Sequence, residues 1–207
     1  MTGDTLPVEI LTLQLIANVS PDLARRLGLD SRHKSIGLLS TDCDDVTYMA
    51  LDEATKKAAV DVVYARSLYA GAANASTRLA GEVTAGLQSA ADFLRSGVGF
   101  RTANEQGDVV YLAHCVSRTG SYLSKVAKVP QGEAIAYLIA PPVEAMVALD
   151  AALKAADVRM TALFAPPSET NFAGGLLTGT QSACIAACDA FGEAVRAVAA
   201  APQSYGG

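Results

Sequence analysis

Three carboxylates crowd into four residues at Asp42, Asp44 and Asp45, and making a turn does not require charges that repel one another at that spacing. A carboxylate about 4 Å from an ammonium gains roughly 4 kcal/mol at an effective dielectric near 20, most of it cancelled by desolvation and ordering. The cluster therefore suits weak, reversible attraction of a small cation, the balance that a conducting opening needs. The plainer reading is a solvated hairpin tip. Other chemistry-bearing residues are sparse. His33 falls in a polar stretch and His114 in an apolar one, so an imidazole-based metal or acid–base site would need the fold to bring partners to each. Cys184 and Cys188 stand one helical turn apart and could share a metal, but no third ligand flanks them, and buried thiols on an Ala-rich helix are the simpler account. Gly174-Gly175-Leu176-Leu177-Thr178-Gly179 lacks the Lys of a phosphate-binding loop and reads as a turn with close packing. There is no nucleophile elbow, Cys-x-x-Cys, His-x-His or His-x-x-x-His. The residues thus predict no metal, no cofactor and no catalysis. A hydrolase or lyase pairing Asp44 or Asp45 with His114 is the enzymatic alternative, and an amine-binding or sensing module is the other.

The elements that hold these residues must come from a chain of 207 residues, long enough for one large domain or two of about 100 residues. Hydrophobic residues make up 51% and charged ones only 18%, which ensures a core and leaves little charge to solvate the exterior, a pointer to self-association. The net charge is −5, and no basic cluster exceeds Lys56-Lys57 or Arg25-Arg26, which argues against nucleic acid. The N-terminal stretch carries Asp4 and Glu9 and no basic residue, unlike a secretory or transit signal. The uncharged stretch 170–188 contains Asn171, Thr178, Gln181 and Ser182 and would be costly in lipid. A cytoplasmic protein with reduced thiols and no membrane partner is expected.

Self-similarity organises the chain. Ala50-Leu51-Asp52 returns as Ala148-Leu149-Asp150, with Lys56 and Lys154 following at the same offset of 98. Upstream, Leu15, Val19 and Ser20 match Leu112, Val116 and Ser117 at an offset of 97; downstream, Ala80-Gly81 and Gln88-Ser89-Ala90 match Ala173-Gly174 and Gln181-Ser182-Ala183 at 93. Each copy reads as strand, short helix, hairpin, long helix, strand, helix. In the first copy residues 11–19 form a strand, and Ser20-Pro21-Asp22 caps a short helix stopped by Gly28. Residues 35–40 and 46–50 are predicted strands around the acidic turn, and a helix from Asp52 carries the stripe Ala54, Ala58, Val62, Ala65. In the second, residues 109–116 and 134–140 are strands, Pro141-Pro142 is a turn and a helix starts at Asp150. The fold class expected is α+β, helices packed on an antiparallel sheet, in two domains of residues 1–100 and 101–207.

Several blocks carry a resemblance: Asp42-Cys43-Asp44-Asp45-Val46-Thr47-Tyr48, Val63-Tyr64-Ala65-Arg66-Ser67-Leu68-Tyr69-Ala70-Gly71, Ser117-Arg118-Thr119-Gly120-Ser121-Tyr122-Leu123 and Pro167-Ser168-Glu169-Thr170-Asn171-Phe172. In this order they closely resemble the tandem-domain bacterial microcompartment shell proteins of the ethanolamine-utilisation (EutL-like) type. The resemblance implies two circularly permuted shell domains. It implies a homotrimer that imitates a hexagon and tiles with other shell proteins, and pores that pass small polar metabolites such as ethanolamine. It places the family's channel-lining acids and aromatics on Asp44, Asp45, Tyr69, Glu82 and Phe100. Between Val83 and Ala85 the family carries a further strand and a Gly-Gly-Pro turn that this chain lacks, which calls the last strand of the first domain into question.

Overall fold

The computed structural model describes residues 2–31, 33–67, 75–166 and 171–203. Both copies fold to the same element order. The first runs β1 (Ile10–Ile16), α1 (Pro21–Arg26), β2 (Ile36–Thr41), α2 (Asp44–Lys57), β3 (Val60–Ser67), β4 (Ala75–Gly81) and α3 (Val83–Leu94). After a two-residue strand, β5 (Arg101–Thr102), the second runs β6 (Val110–Val116), α4 (Ser121–Ala127), β7 (Ala134–Ala140), α5 (Pro142–Ala155), β8 (Val158–Phe164), β9 (Ala173–Gly179) and α6 (Gln181–Ala200). The sheets are antiparallel throughout, ordered β1-β2-β4-β3 and β5-β6-β7-β9-β8. The long helices pack in pairs, α2 on α3 and α5 on α6. The α+β architecture expected from the pattern is therefore present twice.

Two compact units emerge. The first unit comprises Pro7–Val98 with Gly120–Leu123, and the second comprises Met1–Leu6, Gly99–Thr119 and Ser124–Gly207. The first is centred on Ile36, Leu39, Met49, Leu51, Leu79 and Leu94. The second buries all of β7, with Leu149, Leu177 and Phe191 behind it, and small side chains such as Ala136, Ala148 and Ala187 fill the rest. In this unit Leu6 donates its N–H to Phe100 and Gly3 to Thr102, so the chain start is tied beside β5.

Register corrects the repeat. From α2 onward the offset is 98 without drift, whereas β2 and β7 lie 99 apart, since Ile36 faces Ala80 as Ile135 faces Thr178. The bulge between Val62 and Tyr64 on β3 recurs between Met160 and Ala162 on β8, and Val60 faces Gly81 as Val158 faces Gly179. The downstream match at 93 was out of register: Gly81 corresponds to Gly179, and a Cβ on either would collide with a carbonyl, Ala59 O at 2.2 Å or Asp157 O at 2.7 Å. The upstream match at 97 also fails. Leu13 pairs with Leu39 as Ala113 pairs with Leu138, which puts β1 and β6 100 residues apart.

Other expectations change as well. Residues 46–50 are helical, because α2 begins at Asp44, and the acidic cluster is a strand-to-helix junction with no hairpin. The stripe expected through Val62 and Ala65 stops at Lys57, and those two residues lie on β3, whose Val60, Val62 and Tyr64 alternate in sequence as a strand does. The hairpins follow the long helices, as β3–β4 and β8–β9. Pro142 is the first residue of α5, where its missing N–H costs nothing, so this helix starts well before Asp150. The segment 174–179 is strand β9. The last strand of the first copy is in place as β4, between β2 and β3.

Candidate functional site

The acidic cluster is built by β2 delivering Thr41 to one end of the sheet and α2 starting there. Asp42 clamps the approach to β1: its N–H donates to Glu9 O at 3.2 Å and its Oδ1 accepts from Glu9 N at 2.8 Å. Thr41 donates to Cys43 O at 3.0 Å and Thr47 to the same carbonyl at 2.6 Å, closing the junction without a side-chain cap from Cys43. Asp44 and Asp45 then occupy the first turn of α2, where the helix dipole favours negative charge. Asp44 Oδ1 accepts from Asp45 N at 2.9 Å, and its Oδ2 accepts from the Ser67 hydroxyl at the end of β3. The Tyr48 hydroxyl lies 3.0 Å from Ser67 Oγ. The result is a half-buried chain Tyr48–Ser67–Asp44 beside a buried Asp45. Its chemistry is that of a hydrogen-bonded anionic rim.

Sequence reasoning placed five residues in one lining. Asp44 and Asp45 are adjacent at this junction. Tyr69 lies outside the described residues. Glu82 is exposed directly after β4, where its N–H donates to Ala59 O at 3.1 Å and Ala59 N donates to Oε2 at 3.5 Å. Ile36 faces Ala80 and Thr41 faces Ala75, so Glu82 sits at the opposite end of the sheet from the acids, about 17 Å of strand away. Phe100 lies in the second unit, tilted against Phe172 with ring centroids 5.3 Å apart. The first unit by itself therefore unites only the two aspartates, with Tyr48 and Ser67 as partners that the sequence did not single out. Tyr48 depends on α2 starting at Asp44, where a strand was expected, and Ser67 depends on the β3 register.

The remaining candidates resolve individually. His33 Nε2 lies 3.1 Å from Asp61 Oδ2 in the first unit; His114 is in β6 of the second unit, whereas Asp44 and Asp45 belong to the first. His114 borders a cavity of about 360 Å³ with Arg101, Tyr111, Asp189 and Arg196, a mixed-charge hollow that no motif announced because its residues come from three elements. All four thiols are free, and burial pushes each above the ordinary 9.0, Cys115 to about 11 and Cys43 and Cys188 higher. Among the described residues no group of His, Cys, Asp and Glu could hold a metal, and no helix is long and apolar enough to cross a membrane.

The geometry so far describes a duplicated sheet-and-helix protein with a polar rim. Comparison with known proteins decides what it is. The BMC domain family matches residues 35–100. The bacterial microcompartment shell protein EutL of Clostridium perfringens (strain 13 / Type A) is 61% identical over 217 aligned positions, covering 99% of this chain and all of the relative. The chain belongs to the EutL family of microcompartment shell proteins. The Escherichia coli (strain K12) EutL is 48% identical across 96% of both chains. A crystal structure of the ethanolamine utilization protein EutL from Leptotrichia buccalis C-1013-b superposes with a TM-score of 0.96 at 57% identity, over 99% of this chain and 100% of the other. A trimeric shell protein PduB shares the fold at a TM-score of 0.73 and 19% identity, over 93% of this chain and 89% of that one. The Clostridium alignment spans ten more positions than this EutL-family chain has residues.

Proposed function

We propose that the chain is a non-catalytic tile of a microcompartment wall, assembling as a homotrimer that abuts other shell proteins and passes small polar metabolites of the ethanolamine kind. One observation carries the reading: two units of the same element order, held 98 residues apart from their first long helix onward, down to a shared β-bulge. Three copies of a doubled unit supply six similar units around a closed cyclic axis, and such an axis leaves room for an opening. The two shell domains are proposed at residues 1–100 and 101–207, bounds close to those of the two units apart from the exchanged segments Met1–Leu6 and Gly120–Leu123. Asp44 and Asp45 form the part of the lining best supported by geometry, since their rim is acidic, half-buried at Asp44 and backed by hydrogen bonds. Tyr69, Glu82 and Phe100 enter the proposed lining through the likeness to the family alone.

Light scattering tests the assembly: a particle of about three times 21.3 kDa is expected, with flat sheets in electron micrographs of concentrated protein. A lone chain at every concentration would sink the reading. Calorimetry with ethanolamine should give weak heats that vanish in Asp44→Asn/Asp45→Asn; submicromolar binding would instead mark a sensor.

A further inference from the structure

The two long helices α2 and α5 occupy equivalent places, yet one stripe of them differs. On α2, Asp45, Met49 and Asp52 are 9%, 1% and 0% exposed. Their counterparts on α5 at the offset of 98 are Val143 and Val147, 69% and 48% exposed, and Asp150, whose side chain is 65% exposed. These positions recur at i, i+4 and i+7, one continuous helical face. In the first unit that face receives Gly120–Leu123, the turn that opens α4. Asp52 Oδ2 accepts from Gly120 N at 2.7 Å and Oδ1 from Leu123 N at 2.8 Å, while Ser121 N donates to Thr55 Oγ1 at 3.1 Å. Tyr122 tilts against Tyr48 at 6.3 Å between centroids, and Leu123 is fully buried.

The repeat equivalent of that turn is residues 20–23, opening α1. Val19 N donates to Lys34 O as Thr119 N donates to Glu133 O, which aligns Ser20 with Gly120 and Leu23 with Leu123. Nothing in α1 is buried, and Leu23 is an exposed large hydrophobic. The differences between the copies also match in pairs. Ser121, whose N–H is received by Thr55, becomes Pro21, which has none, and Thr55 becomes Leu153, which could not receive one.

We propose that the Val143–Val147–Asp150 face of α5 is the docking surface for the turn Ser20-Pro21-Asp22-Leu23 of a second copy of this chain. Leu23 seats against the valines as Leu123 seats in the first unit, and Asp150 takes the place of Asp52. The contact is heterologous, one surface meeting a different one, so each copy keeps an open turn and an open α5 until the ring closes. This deepens the shell reading and rests on it.

Sedimentation of Leu23→Arg and Val147→Arg tests it, with circular dichroism as the folding control; Leu23→Ser and Val143→Arg serve if either fails to fold. Wild type is expected as a closed multi-chain particle and each variant as a single chain. A one-to-one mixture of the two variants is expected as a two-chain particle, because one variant keeps its turn and the other its α5 face. Either folded variant retaining the wild-type size, or a mixture that stays single-chain, overturns the docking while leaving the shell reading standing. A single-chain wild type overturns both.

Discussion

The thiols and the acids show how little a residue's type says before its surroundings are known. Burial raises all four cysteines, so the folded state prefers them protonated. Such a group stabilises the fold fully below its unfolded value, and the contribution is lost as pH climbs through the folded value. For Cys115 that window runs from 9.0 to about 11. The urea midpoint should accordingly hold to pH 9 and fall above it, and Cys115→Ala should flatten part of that fall; equal slopes in the two proteins would refute the assignment. Asp42 and Asp44 were legible as unusual, but their local work was not. Asp42 pins Glu9 from 33 residues away, and Asp44 meets Ser67 across 23. Partners at such separations follow from sheet register, which the amino-acid order does not state.

At the scale of elements, the short helices offer a measurable asymmetry. Both end in the same way, with Leu29 N donating to Ala24 O and Val129 N to Ser124 O over a left-handed residue. In the first copy that residue is Gly28 at φ 64°, and in the second it is Lys128 at φ 54°. A side chain there costs roughly 1–2 kcal/mol against glycine. Lys128→Gly should therefore raise stability by about 1 kcal/mol in urea titration, after allowing for the greater freedom of glycine in the unfolded chain. A loss of stability would show that the Lys128 side chain contributes more than its backbone costs. Caps of this kind were readable, as Ser20-Pro21 and Gly28 showed. The start of α2 was not, since Val46, Thr47 and Tyr48 are strand-favouring types whose helix is decided by packing of Met49, Ala50 and Ala54.

For the whole molecule, the doubling was visible from Ala50-Leu51-Asp52 and Ala148-Leu149-Asp150, but its true register was visible only in the paired strands. Ala-rich helices and Gly-rich strands match one another at several offsets, and a bulge shared by β3 and β8 is what selects one. The register also locates where the copies diverge. Nine residues join α1 to β2, whereas six join α4 to β7. In a ring of three such chains the longer connection would appear at every second position. Six identical single-domain subunits could not carry that alternating mark, which only a fused pair of unequal copies can encode.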